Sequence, residues 1–335
     1  MKAAAIFLMG RAKHNMSQGG KQSLEAGDET VLISVFGLNL GAGHAMFHGP
    51  LVRQATDDLA RALSAFEGIT ARAHHLLRPA APVDPNLDEE ALQEDAIETR
   101  VGFLMRQQLP PGGELRRQMA QQGGSVALTG RLGITRDDVA LALNLWDVRQ
   151  PDLLWCHLRT SAPEDLPGML IEATAKAAFA LQSAGAGTLS EARLVARAAV
   201  GTTSMDAYEA LAAATEKLRR RQLGLGQSAN PVPILQALGQ ALVHDPDYEP
   251  PRLLMMELAM ERLMEADRAC AEALDEICGR LHGHLVYGLL RFEALLVLDE
   301  PEEAAACLKS LGAEHGTSPA LAQAKARLNA HTSVK

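Results

Sequence analysis

Hydrophobic and polar positions alternate most clearly between residues 126 and 155. Two segments there place apolar side chains at every second position, which is the period of a strand with one buried face. These side chains are Val126, Leu128 and Leu132, then Val139, Leu141, Leu143 and Leu145. The polar connector 135–138 has the length of a hairpin loop. The pattern therefore predicts a β-hairpin, and residues 153–155 add a third short strand.

A β-α-β unit is predicted upstream of this hairpin. Residues 30–36 are apolar and β-branched, as in a buried strand, and residues 69–73 alternate as in a second strand. Between them, a helix is predicted to begin at Pro50, where a missing N–H does no harm, and to end near Phe66. The expected fold of the first domain is α+β or α/β, a small mixed sheet with packed helices.

Other segments before residue 185 complete this first domain. The proline-rich stretch 78–88 predicts a loop, and helices are expected at 88–106, 114–121 and 167–182. The last of these carries a regular apolar stripe, so we expect it to pack on the sheet.

Beyond residue 188 the apolar spacing is helical throughout. Helices are predicted at 189–199, 205–221, 234–244, 252–280, 282–298, 302–311 and 319–330. Helix pairs with short turns are typical of a helical-hairpin repeat. The predicted organisation is a disordered leader (1–29), the α/β domain (30–185), a helical connector (186–230) and an all-α repeat domain (231–330).

Composition and charge exclude several classes of protein. The chain is 47% hydrophobic and 22% charged, which is the range of globular proteins. Its net charge of −9 disfavours nucleic-acid binding. No run approaches the ~20 apolar residues of a membrane span, so no membrane insertion is expected. The four cysteines are widely spaced and are predicted to be buried, reduced thiols, which favours a cytoplasmic location.

One part of the helical region resembles a known repeat. In the sequence ALGQALVHDPDYEPP, small Ala241 stands five residues before Pro246, and Tyr248 follows. This resembles the second helix and turn of a tetratricopeptide repeat, and residues 285–311 fit a second hairpin. The resemblance covers about residues 205–330 and implies a surface that binds proteins.

The first domain resembles another family through the order of its short motifs. These motifs are Thr56–Leu63, Gly68–Ala71, Leu128–Gly130, Leu145–Asp147 and Leu154-Trp155. Their order is similar to the TolB N-terminal-like domain, which in bacteria occurs beside adenylate cyclases, kinases and tetratricopeptide arrays. The resemblance covers about residues 30–210 and implies an α/β domain that binds macromolecules and is not catalytic.

A glycine-containing loop is the candidate ligand site. The loop 37–50 lies between a strand and a helix, where a helix N-terminus can receive a phosphate, although it matches neither dinucleotide nor P-loop spacing. The candidate residues are Gly37, Gly41, Gly43, His44 and His48. A simple connector is the alternative. His44 and His48, with His74 and His75, lack a completing Cys or carboxylate at a recognisable metal spacing, so no metal or cofactor is predicted.

No catalytic motif appears in the sequence. The acid pairs Asp57-Asp58 and Asp137-Asp138 are expected on the surface, and no nucleophile–base pattern is present. Met256, Met260 and Met264 repeat every four residues, as in a core stripe or an adaptable peptide-binding groove. The partner-binding residues predicted in the helical domain are Met256, Met260, Tyr248, Tyr287 and Arg291.

These observations favour a non-enzymatic scaffold or adaptor that binds protein partners, in bacterial signalling or in the assembly of a larger complex. The first alternative is a regulatory module that binds a nucleotide or other small anion at the loop 37–50. The second is an enzyme or metalloprotein that uses the histidines. The partner's identity and the oligomeric state stay open.

Overall fold

The structure, a computed structural model, describes residues 31–36, 39–40, 45–74, 125–134, 137–147, 153–182, 188–223, 230–281 and 283–333. The predicted leader 1–29 and the predicted elements between residues 78 and 123 lie outside these ranges. The chain divides into two compact units, residues 1–205 and 206–335.

The first unit contains a mixed sheet. Its strands are β1 Val31–Phe36, β2 Asn39–Leu40, β3 Ile69–His74, β4 Val126–Ile134, β5 Val139–Asp147 and β6 Leu153–Ser161. The strand order is β3-β1-β4-β5-β6, and β2 pairs with β4. β1 is parallel to β3 and β4, whereas β4, β5 and β6 are antiparallel. The predicted combination of helices with a small mixed sheet is thus confirmed.

The predicted hairpin forms the centre of this sheet. β4 and β5 pair from Val126 opposite Asp147 to Ile134 opposite Val139, which leaves residues 135–138 as the connection. All the alternating apolar side chains named above are buried. The opposite face of β5 is also buried at Ala142, Asn144 and Trp146, so this strand is enclosed on both sides.

Three helices accompany the sheet in the first unit. They are α1 Ala45–Ser64, α2 Leu166–Gln182 and α3 Leu189–Val200, and a short 3-10 turn, Pro163–Asp165, precedes α2. α1 contacts β3, α2 contacts β5 and β6, and α3 packs on both α1 and α2. Thr188 and Glu191 form a reciprocal capping box at the start of α3, and Gly201 ends it in a left-handed conformation.

Three boundaries in the first unit differ from the predictions. α1 begins at Ala45, so Pro50 lies inside the helix; proline's fixed φ suits a helix, at the cost of one backbone hydrogen bond. The two-residue strand β2 occupies part of the predicted loop. β6 continues to Ser161, beyond the predicted Trp155, because its polar residues lie at an edge of the described sheet, where half-exposed side chains are tolerated.

The second unit is entirely helical in its described residues. Its helices are α4 Met205–Gln222, α5 Val232–His244, α6 Glu249–Met264, α7 Arg268–Arg280, α8 Leu285–Leu298, α9 Pro301–His315 and α10 Pro319–Ser333. From α5 onwards each helix contacts the next, and α5 also contacts α7, α6 contacts α8, and α8 contacts α10. This pattern stacks antiparallel helices in sequence order.

The predicted single helix 252–280 is wrong, because the chain breaks between α6 and α7. Ala266 adopts a left-handed φ of 54°, and the Asp267 carboxylate accepts a hydrogen bond from the Cys270 N–H at 3.1 Å. This is an N-cap, which starts a new helix without any glycine or proline to mark it.

The segment predicted as a connector, residues 186–230, divides between the two units. α3 packs against α1 and α2 of the first unit. α4 contributes Ala207, Leu211 and Ala214 to a hydrophobic cluster that it shares with α5 and the helices that follow.

Candidate protein-binding groove

An open groove lies on one side of the second unit, where α6, α8 and α10 lie side by side. Its volume is about 530 Å³. The side chains that line it are Met260, Leu263 and Met264 from α6, Glu293, Leu296 and Val297 from α8, and Arg327, Ala330 and His331 from α10. Most of them are apolar, and the polar ones come from α8 and α10.

The stacking of hairpins explains why these three helices share one side. α7 and α9 connect them along the chain, while α6 contacts α8 and α8 contacts α10 directly. Alternate helices of a hairpin stack therefore form a continuous surface, as in repeat proteins with a helical binding face. The groove brings together residues that are far apart in the sequence, from Met260 to His331.

The two faces of α6 have different roles. Met255, Leu258 and Ala259 are buried in the core cluster. On the other face, Met260 and Met264 are 45% and 78% exposed. Leu253, about two turns before Met260, is also exposed. Long, flexible methionine side chains at exposed positions can adapt to the shape of a partner.

A partly buried ion pair lies on the groove wall. Arg327 Nη2 is 2.8 Å from Glu293 Oε2, and the arginine side chain is the more exposed of the two. Burial raises the pKa of Glu293, and the positive charge of Arg327 opposes that shift. Nearby, His331 Nε2 is 3.2 Å from Asp299 Oδ1.

A row of carboxylates runs along α6 beside the exposed methionines. Glu257, Glu261 and Glu265 are all exposed and are spaced by four residues, so they follow one another along the helix surface. The Arg262 guanidinium forms ion pairs with two of them: Nη2 lies 3.2 Å from Glu261 Oε1, and Nη1 lies 2.6 Å from Glu265 Oε2. Among the described residues Glu257 has no ion-pair partner, and the row retains net negative charge.

The predicted partner-binding residues separate into surface and core. Met260 lines the groove, and Met256 is partly buried against the core cluster. Tyr248 and Tyr287 do not belong to a binding surface, because both are fully buried, and the Tyr287 hydroxyl donates to the Pro246 carbonyl at 3.0 Å. Arg291 Nε donates a hydrogen bond to Asp275 Oδ1 at 2.7 Å.

The predicted ligand loop is only partly described. Gly37, Gly41, Gly43 and His44 lie outside the described residues, and His48 lies in the first turn of α1. The anion-binding hypothesis therefore stays a prediction. His74 ends β3 opposite Phe36, while His75 lies outside the described ranges.

The expectation that both acid pairs lie at the surface is wrong for one residue. Asp58 is fully buried, not at the surface, and accepts hydrogen bonds from Gln54 at 3.1 Å and from Arg61. Its neighbour Asp57 is exposed, as are Asp137 and Asp138.

The expectation that all four cysteines are buried is wrong for Cys156. Cys156 is exposed, whereas Cys270 and Cys278 are buried, and burial raises the pKa of each of these two thiols to about 12. Cys307 is intermediate in exposure, and burial raises its pKa as well.

The described residues contain neither a cluster of metal ligands nor a membrane-spanning helix. No group of three or more His, Cys, Asp or Glu side chains in them is arranged to hold a metal ion. No helix in the same ranges has the length and apolar character required to cross a membrane.

Comparison with known proteins gives no family. No protein-family model matches the sequence, and no curated protein matches it. Among solved structures, a dodecamer of a PelC variant from Paraburkholderia phytofirmans matches with 15% identity, over 49% of this chain and 96% of that one. The TM-score is 0.28, so the match supports no statement about this chain.

Proposed function

We propose that the protein is a non-enzymatic interaction module that binds a protein partner through the groove on α6, α8 and α10. The observation that carries the proposal is the pair of exposed methionines, Met260 and Met264, beside an apolar wall from Leu296 and Val297. Removing this surface from water on binding would provide the main driving force.

The construction of the second unit supports this function. Stacked helices bury their cores in two clusters, which anchor the groove residues Leu263, Leu296 and Val297. Met260 and Met264 stand outside both clusters and are exposed. The tetratricopeptide-like and TolB-like resemblances of the sequence agree with a scaffold or adaptor in bacterial signalling or complex assembly. A cytoplasmic location is part of the same proposal.

Site-specific crosslinking in the native host tests the proposal. The photoreactive residue p-benzoylphenylalanine replaces Met264 in the full-length chain, and in a matched control it replaces Leu194, which is 67% exposed on α3. We expect a discrete protein adduct from position 264 that is lost when Met260→Gln is added. Absence of a groove-specific adduct, or equal adducts from both positions, would refute the proposal.

A further inference from the structure

We infer that the partner segment received by the groove is a basic amphipathic α-helix. The inference rests on the proposed function and adds the chemistry of the partner. Two features of α6 carry it: a long apolar stripe and the parallel row of carboxylates.

The apolar stripe has the dimensions of a helix-binding surface. Leu253, Met256, Met260 and Met264 are separated by three or four residues and therefore follow one side of α6. From Leu253 to Met264 the stripe spans about 16 Å, at 1.5 Å per residue, which matches about three turns of a partner helix. A helix with apolar side chains at positions i, i+3 or i+4, and i+7 would place them in the groove that α6, α8 and α10 form.

The carboxylate row specifies the charge of that helix. Glu257, Glu261 and Glu265 are spaced by about one helical turn. Lys or Arg residues at every fourth position of a partner helix have the same spacing, so they can face the carboxylates in either a parallel or an antiparallel orientation. Exposed pairs of this kind contribute little to affinity. Their main effects are on orientation, association rate and the rejection of acidic partners.

The ion pair between Glu293 and Arg327 on the groove wall also favours a basic partner helix over an acidic one. A bound helix would cover Glu293, whose carboxylate is already partly buried, and covering it further costs free energy unless a cation remains close. Arg327 can supply that cation, and a lysine or arginine of the partner can add a second. An acidic segment would instead place like charges together at a site of reduced solvation.

Two designed peptides provide a direct test with the full-length protein. Both are helix-forming, share one leucine face, and differ only in carrying lysine or glutamate on the polar face. Fluorescence anisotropy should show that the lysine peptide binds at least about tenfold more tightly, a difference of about 1.4 kcal/mol. Its affinity should fall as salt is raised, because exposed charges are screened.

Matched variants separate groove binding from general attraction to an acidic protein. Met260→Gln with Met264→Gln should weaken the lysine peptide about tenfold, and Leu194→Gln should leave it unchanged. Neutralising the row by Glu257→Gln, Glu261→Gln and Glu265→Gln should weaken it several-fold. The control triple replaces three exposed glutamates of α9 and changes the net charge equally; these are Glu302, Glu303 and Glu314.

The outcomes distinguish the inference from the proposed function. Sequencing the segment crosslinked to position 264 should identify a basic amphipathic stretch. A crosslink to an acidic, neutral or non-helical segment, or equal binding of the two peptides, would overturn the inference and leave the proposed function standing. Equal effects of the two glutamate triples would also overturn it. Absence of both the crosslink and peptide binding would overturn both.

Discussion

The contact of Gly239 with Ile277 provides a quantitative test of how α5 and α7 pack. Gly239 is buried in α5, and a Cβ at this position would lie 2.6 Å from Ile277 Cγ2 and 3.0 Å from Cγ1. Ordinary carbon contacts are about 3.5–4.0 Å. We therefore expect Gly239→Ala to destabilise the second unit, although alanine is intrinsically the better helix former.

Two opposing effects determine how much Gly239→Ala changes the free energy of unfolding. Alanine favours the helix by about 1 kcal/mol over glycine. Overpacking a closed core costs about 1–3 kcal/mol. The upper part of that range applies because Ile277 Cγ2 moves away only by rotation about the Cα–Cβ bond, and a β-branched side chain in a helix strongly prefers one such rotamer. The net loss in the free energy of unfolding should be about 1–2 kcal/mol.

Far-UV circular dichroism during chemical denaturation measures this loss, and tryptophan fluorescence gives an internal reference. Both tryptophans, Trp146 and Trp155, lie in the first unit. The control is Gly312→Ala in α9, where an added Cβ meets nothing within 4 Å, and which should be neutral or stabilising.

The double variant gives the sharpest result. Ile277→Ala alone should cost about 2–5 kcal/mol because it leaves a cavity. In that background Gly239→Ala should become stabilising by about 1 kcal/mol, because the clash is gone and the helix preference remains. A stabilising effect of Gly239→Ala in the wild-type background, or the same effect in both backgrounds, would refute the close approach.

Three further predictions concern single side chains. Asp267→Ala should lower the stability of the second unit by about 1 kcal/mol at neutral pH. The hydrogen bond from the Cys270 N–H lowers the pKa of Asp267. The stability difference between wild type and Asp267→Ala should therefore be present above pH ~4 and vanish as acid protonates the carboxylate. Asp267→Asn should retain the cap, and thermal melts across pH measure the stability of both variants. Burial raises the pKa of Glu293, so its ionisation costs stability as pH rises through the carboxyl range. Arg327→Ala should steepen that loss, and Glu293→Gln should abolish it in the same melts. Thiol titration of the native protein should find one rapidly reacting cysteine, removed by Cys156→Ser, because burial keeps the other thiols protonated; several equally fast thiols would contradict the buried positions.

Local patterns predicted the elements whose burial alternates regularly. The β4–β5 hairpin follows from period-two apolar positions. A slip of one residue would turn Val126, Leu128 and Leu132 toward the face of β4 that is mostly half-exposed. The extended part of β6 escaped prediction, since His157, Arg159 and Thr160 look like loop residues when read locally. At a sheet edge, backbone pairing with β5 determines the structure instead.

The break at Ala266 shows a different limit. Helix ends are usually recognised by glycine or proline, but here a left-handed alanine and an aspartate cap separate α6 from α7. Packing of the two helices against each other and against α8 outweighs the cost of that conformation. Only the tertiary contacts distinguish this arrangement from one continuous helix.

The groove was predictable only in part, for the same reason. The four-residue spacing of Met256, Met260 and Met264 indicated either a core stripe or a binding surface, and the series divides between the two. Met256 is partly buried against the core cluster, whereas Met260 and Met264 are exposed. The opposite wall comes from Arg327 and His331 on α10, which have no local signal and join the site through the contact of α8 with α10. An interaction surface on stacked helices is thus a property of the stacking, and substitutions in α10 should affect binding as directly as substitutions in the methionine stripe itself.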